Sequence, residues 1–204
     1  MKKAFIFDWS GTLSDNFHCF YKVCGLIFED QGGTLLSEEE IKINFTMPYM
    51  KFWNKYFPDL TKEKAEELYE KFIHQVGEPD IFYNVQQVVE YLKMHGFELF
   101  IVSSDPISKL MPEIERSGIS HFITKTIGGG NHLKEESIAS LVEEYGLDRA
   151  NTFYVGDTCG DVEFGKMAQV KTVAITWGIQ HKDVVSKSNP DYLIDDIIEI
   201  QNII

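Results

Sequence analysis

The chain has 204 residues, 44% of them hydrophobic, and its 19 Lys and Arg against 32 Asp and Glu give a formal net charge of −13. That size allows one good-sized core with room for a small insertion. The acidic balance argues against a nucleic-acid or anionic-membrane binder, whose partner phosphates need a basic footprint, and no apolar run approaches the roughly 18 residues of a membrane span.

The N-terminus passes from Lys2 and Lys3 straight into an apolar run with no small-residue cleavage pattern, so no signal peptide is expected. Cys19, Cys24 and Cys159 lack zinc spacing and suggest reduced thiols in the cytoplasm. Ala4 to Phe7 has the length of a buried parallel strand, and Asp8 follows it. From Asn16 to about Tyr83 the pattern is helical: Ser37 with Glu40 forms a capping box, and Ala65, Leu68, Tyr69, Phe72, Ile73 and Val76 make one apolar helix face. The aromatic residues Phe45, Tyr49, Phe52, Trp53, Tyr56 and Phe57 read as the packing core of this segment.

Strands and helices alternate from Asn84 onward. Asn84 with Gln87 is expected to cap a helix that Gly96 ends, Glu98 to Val102 is a strand leading to Ser103 and Ser104, and Pro106 opens a helix that Gly118 ends. Gly128, Gly129 and Gly130 lead to a helix from Lys134 to Tyr145, closed by Gly146. Thr152 to Val155, Thr172 to Ile175 and Tyr192 to Ile194 are further strands, with Asp157 and Asp161 after the first of them. The six histidines, His132 among them, show no ligand spacing.

This alternation predicts an α/β fold. A Rossmann-like parallel sheet with helices on both faces comprises residues 1–15 and 84–204, and a small α-helical cap domain, 16–83, is inserted after the first strand. Asp8, Ser103, Lys134, Asp157 and Asp161 then fall near the carboxyl ends of strands, where open α/β sheets bind ligands, and together they read as one phosphate and magnesium site.

The segments Phe5-Ile6-Phe7-Asp8-Trp9-Ser10-Gly11-Thr12-Leu13, Ile101-Val102-Ser103-Ser104, Lys134 and Val155-Gly156-Asp157-Thr158-Cys159-Gly160-Asp161 resemble the four motifs of the haloacid dehalogenase-like hydrolase superfamily. Asn189 to Asp196 is similar to the tail of its phosphoglycolate phosphatase-like members, and the helical insertion resembles its first type of cap. The resemblance implies Mg²⁺-dependent hydrolysis of a small phosphorylated metabolite by a monomer or homodimer. Asp8 would be the nucleophile, forming an aspartyl-phosphate, and would also ligate the metal with Asp157 and the Ser10 carbonyl. Asp161 would stand behind these ligands. Gly11, Ser10, Ser103 and Ser104 would cradle the phosphoryl oxygens, and Lys134 would offset the phosphate charge and restrain Asp8.

Ser10 departs from the phosphatase pattern, which has a second aspartate two residues after the nucleophile to act as general acid and base. A serine hydroxyl cannot do that work near neutral pH. Two alternatives follow. Met47 to Lys51 has the Met-to-Lys spacing around the Schiff-base lysine of phosphonoacetaldehyde hydrolase, so Lys51 is a candidate for carbon–phosphorus bond hydrolysis. The loss of the aspartate also fits a catalytically weakened metabolite-binding protein. Within the motifs, Ser103 competes with a simple helix-capping role, one that Ser104 or Asp105 could fill instead, and Lys125 competes with Lys134 for the lysine position.

Overall fold

The computed structural model describes residues 2–129 and 133–204; Gly130 and His132 lie outside them. Its strands are β1 (Lys2–Phe7), β2 (Glu98–Val102), β3 (Lys125–Ile127), β4 (Leu147–Gly156), β5 (Lys171–Ile175) and β6 (Tyr192–Ile194). Among the described residues they form one parallel sheet in the order β3-β2-β1-β4-β5-β6. Each parallel neighbour requires a crossover, and helices fill these connections. The central strands are covered on both faces, which is why β1 reads as a continuous apolar run. Phe5 and Phe7 face a core shared with Val88, Leu92, Phe97 and Ile197, while Ala4 and Ile6 face the opposite core of Ile138, Leu141 and Val142.

The connection from β1 to β2 holds α1 (Phe17–Asp30), α2 (Glu38–Asn44), α3 (Met50–Tyr56), α4 (Lys62–Ile73) and α5 (Val85–Met94). The first four of these helices bury a separate cluster around Val23, Ile27, Phe52, Trp53 and Leu68, with Tyr49, Tyr56 and Phe57 packed against it. The Ser37–Glu40 capping box forms, the Glu40 N–H donating to Ser37 Oγ at 3.2 Å and the Ser37 N–H to Glu40 Oε2 at 2.9 Å. The chain leaves and re-enters the sheet side by side: the Asp15 N–H donates to the Asp80 carbonyl at 2.8 Å and the Phe82 N–H to the Leu13 carbonyl at 2.9 Å.

The remaining helices are α6 (Ile107–Arg116), α7 (Lys134–Tyr145), α8 (Cys159–Met167) and α9 (Lys182–Val185). One local expectation needs correction, and one strand was not expected. Asn84 precedes α5 with a left-handed φ of 68° and makes no side-chain cap, so the Asn84 and Gln87 box is not formed; the asparagine serves the turn instead. The strand β3 is only three residues long, half-buried and at the sheet edge, too short to show a period in the sequence.

Candidate active site

Strand register brings the motif residues to one edge. Phe7 pairs with Ile101 of β2 and with Val155 of β4, so Asp8, Ser103 and Asp157 all emerge just beyond the same end of three adjacent strands. The Asp8 N–H still donates to the Val155 carbonyl at 2.8 Å, which fixes the nucleophile candidate to the sheet.

Lys134, the first residue of α7, reaches into this edge. Its Nζ lies 3.0 Å from Asp8 Oδ1 and 2.9 Å from Asp161 Oδ1, and its side chain is 9% exposed. Lys125, its rival in the sequence, pairs with Glu144 on the surface at 2.7 Å. The Trp9 N–H also donates to Asp8 Oδ1, at 2.8 Å, leaving Oδ2 without a donor among the described residues. Asp161 is saturated: Oδ1 receives Lys134 and the Tyr154 hydroxyl, and Oδ2 receives the backbone N–H and hydroxyl of Thr158 in a capping box. Burial raises the Asp8 pKa to about 7 although Lys134 pulls it down. Burial would also raise Asp161, but Lys134 and Thr158 outweigh it and hold that carboxyl below its usual range. The lysine is held charged: burial opposes its ammonium, and Asp161 and Asp8 overcome that opposition.

Asp157 is buried, and its Oδ2 accepts the Ile179 N–H at 2.6 Å. A Cβ at Gly11, where φ is +75°, would overlap Asp157 Oδ2, so only glycine lets the turn after β1 close on this carboxylate. Oxygens of Asp8, Asp157 and Asp161 lie within 4.8 Å of one another. Three buried carboxylates face one ammonium, and burial beside Asp161 and Asp8 pushes Asp157 well above the usual carboxylate range. An all-oxygen donor set with excess negative charge fits a hard divalent cation. Among the described residues the free oxygens belong to Asp8 and Asp157, since those of Asp161 are already engaged.

The other predicted residues divide. Ser103 is buried, and its hydroxyl donates to Asp105 Oδ2 at 3.2 Å. Ser10 donates to the same oxygen at 2.5 Å, and Lys109 closes Asp105 Oδ1 at 2.8 Å. Burial would raise Asp105, yet Lys109 and the two serines hold it below the usual range. Ser104 is exposed, with no hydrogen bond to the cluster among the described residues. Lys51 is exposed on α3, outside the group of contacts that joins Asp8, Lys134 and Asp161.

Residues 5–175 match the family model described as haloacid dehalogenase-like hydrolase. The chain belongs to the haloacid dehalogenase-like hydrolases. It is 31% identical to a phosphoglycolate phosphatase of Vibrio cholerae serotype O1, over 69% of this chain and 66% of that one. It is 27% identical to the pyrophosphatase PpaX of Oceanobacillus iheyensis, over 99% of this chain and 96% of the relative. In fold it is similar to a haloacid dehalogenase-like hydrolase of Streptococcus pneumoniae, with a TM-score of 0.84, 21% identity, and coverage of 99% of this chain and 98% of the other.

Within this hydrolase, sequence reading gave Asp105 only a capping role and passed over Lys109. Both were visible as an acidic and a basic residue four apart at the start of a helix, a spacing that places them side by side. It also missed Gln180, whose buried side chain accepts the Cys159 N–H at 2.7 Å and donates to the Phe45 carbonyl at 2.8 Å. No local pattern marks that residue.

Proposed function

We propose that this hydrolase is a Mg²⁺-dependent phosphatase of a small phosphorylated metabolite, working through an aspartyl-phosphate on Asp8. The observation that carries the reading is the buried ammonium of Lys134 shared between Asp8 and Asp161, with Asp157 alongside. Asp8, Asp157 and the Ser10 carbonyl would hold the ion, which supplies Lewis-acid neutralisation of phosphoryl charge when bound. Asp8 attacks phosphorus in line as the leaving oxygen departs with its electron pair. Lys134 keeps Asp8 oriented and offsets charge that grows toward the transition state. Ser103 and the backbone at Gly11 would donate to the phosphoryl oxygens by exchanging bonds they already make, the Ser103 hydroxyl to Asp105 and the Gly11 N–H to the Ser14 carbonyl. Water then attacks phosphorus, the bond to the Asp8 oxygen breaks, and the Asp8 carboxylate is returned as phosphate leaves.

In this proposal the segment 16–83 is a cap over a core of 1–15 and 84–204, supported by the separate helical cluster and the paired connections at Asp15 and Asp80. Ser104, at the site's margin, is the least supported of the phosphoryl contacts. The imine alternative draws no support, because Lys51 is exposed and an imine-forming amine needs desolvation to be neutral. The free cysteines support a reducing, cytoplasmic setting, and among the described residues no helix is long and apolar enough to cross a membrane. A monomer or homodimer is the proposed assembly.

Ser10 supplies no carboxylic acid to protonate a leaving alkoxide, which favours leaving groups stable as anions. Pyrophosphate, named for one relative, has such a leaving group; phosphoglycolate, named for others, does not. The test is phosphate release from a panel of phosphorylated metabolites, including these two, with Mg²⁺ and with chelator. Mg²⁺-dependent release that Asp8→Asn abolishes is expected. Release from no substrate, or equal release by Asp8→Asn, overturns the reading.

A further inference from the structure

The carboxylate missing at position 10 has a counterpart in space. Asp105 lies in the turn after β2, 95 residues from Ser10, and the Ser10 hydroxyl donates to its Oδ2 at 2.5 Å. That length belongs to a charge-assisted O–H···O⁻ bond. Everything around Asp105 holds it in place. Lys109 closes Oδ1 at 2.8 Å, and the Ser103 hydroxyl reaches Oδ2 at 3.2 Å. The Asp105 N–H donates to Ser103 Oγ at 3.1 Å, and its carbonyl accepts the Gly129 N–H at 2.8 Å. A Cβ at Gly128 would stand 2.8 Å from that carbonyl oxygen, so part of the glycine-rich segment after β3 is shaped around Asp105. A residue serving only as a helix cap would not need both carboxylate oxygens and the carbonyl engaged; Pro106 itself occupies the cap position of α6, without a side-chain cap bond.

We propose that Asp105 is a positioning residue that fixes the polarity of Ser10, taking its single hydroxyl proton so that the serine presents only lone pairs to the reaction. A serine so held cannot donate to a leaving group, but it can accept a hydrogen bond from the water that attacks the phosphoenzyme. In that step the water oxygen bonds to phosphorus, the bond from phosphorus to the Asp8 oxygen breaks, and the electron pair returns to the carboxylate. Both water hydrogens leave with the product as dihydrogen phosphate. Asp105 thus aids phosphoenzyme breakdown by orienting the water through Ser10, and leaves phosphoenzyme formation alone.

This inference rests on the aspartyl-phosphate reading, and the experiment separates the two. Rapid-quench kinetics with 4-nitrophenyl phosphate and Mg²⁺ resolve phosphoenzyme formation from breakdown in wild type, Ser10→Ala, Asp105→Asn, the double variant and Ser10→Thr. Ser10→Ala and Asp105→Asn should each slow breakdown about tenfold, the worth of one charged hydrogen bond, with formation changed less than about twofold. The double variant should be no slower than the worse single, because both remove one interaction. Ser10→Thr keeps the hydroxyl and should retain wild-type breakdown. A purely structural role would instead slow both steps together and would not be rescued by threonine. If wild type forms no Asp8-dependent phosphoenzyme, the phosphatase reading and this inference fall together. If phosphoenzyme forms and Asp105→Asn breaks it down at the wild-type rate, or the two single effects multiply, only the inference falls.

Discussion

Lys134 holds its ammonium 3.0 Å from Asp8 although the two residues sit on different elements, one opening a helix and the other ending a strand. The same ammonium satisfies Asp161 at 2.9 Å, so one cation organises two buried acids. Removing it should weaken a preorganised charge rather than a binding surface. Lys134→Met is expected to lower kcat by about 10²–10³ with a smaller change in KM. Steady-state kinetics on the best substrate checks this; a loss confined to KM would show that Lys134 only binds.

Metal binding should depend on pH with a definite sign. The folded-state pKa of Asp8 is raised from 3.8 to about 7 by burial, against the pull of Lys134. An acid raised on folding binds its proton more tightly in the folded state, so this group's contribution favours the metal-free fold at low pH and is lost as pH rises from about 4 to about 7. Asp157, raised by burial beside Asp161 and Asp8, contributes with the same sign. Mg²⁺ needs these oxygens ionised and competes with the protons. The rise in melting temperature on adding Mg²⁺ to chelator-treated protein should therefore be larger at about pH 8 than at about pH 5.5. Thermal melts at a fixed Mg²⁺ concentration measure it, and an equal rise at both values would count against Asp8 and Asp157 as ligands.

Leaving-group chemistry provides a third expectation. General acid catalysis is worth about 10²–10⁴ in rate, and Ser10 offers none. Phosphoenzyme formation should fall steeply from aryl phosphates and anhydrides to alkyl phosphates. Because Asp105 already faces Ser10 at 2.5 Å, Ser10→Asp alone would oppose two carboxylates. Raised alkyl-phosphate turnover is expected only when Ser10→Asp is combined with Asp105→Ser. Equal aryl and alkyl rates in wild type would mean that another group supplies the proton.

Gln180 ties the helical segment to α8. Its side chain is 2% exposed and satisfies the Cys159 N–H and the Phe45 carbonyl. Gln180→Ala strands both, at a cost of about 1–3 kcal/mol for each buried group. That predicts a fall in Tm of about 2–4 °C per kcal/mol for a chain of this size. A melt within error of wild type would show that these two bonds do not form.

The sequence by itself determined the alternation of strands and helices, the capping box at Ser37 and the placement of Asp8, Ser103 and Asp157 after strands. Those features are written in local period and turn chemistry, and parallel pairing turns them into one edge. Resemblance to the family's first motif also singled out Ser10 as the unusual member. Only the tertiary structure decided which lysine turns inward. Lys125 sits at the edge strand within reach of Glu144, while Lys134 opens a helix aimed at two buried acids. Only it showed that Asp105 receives the Ser10 hydroxyl and that Gln180 joins Phe45 to Cys159, spans of 95 and 135 residues on one side of each contact. Such pairings between side chains on separate loops have no periodicity. They exist because the strand order sets the turn after β1 beside that after β2 and the turn after β4 beside that after β5, and burial then forces each polar group there to find a partner.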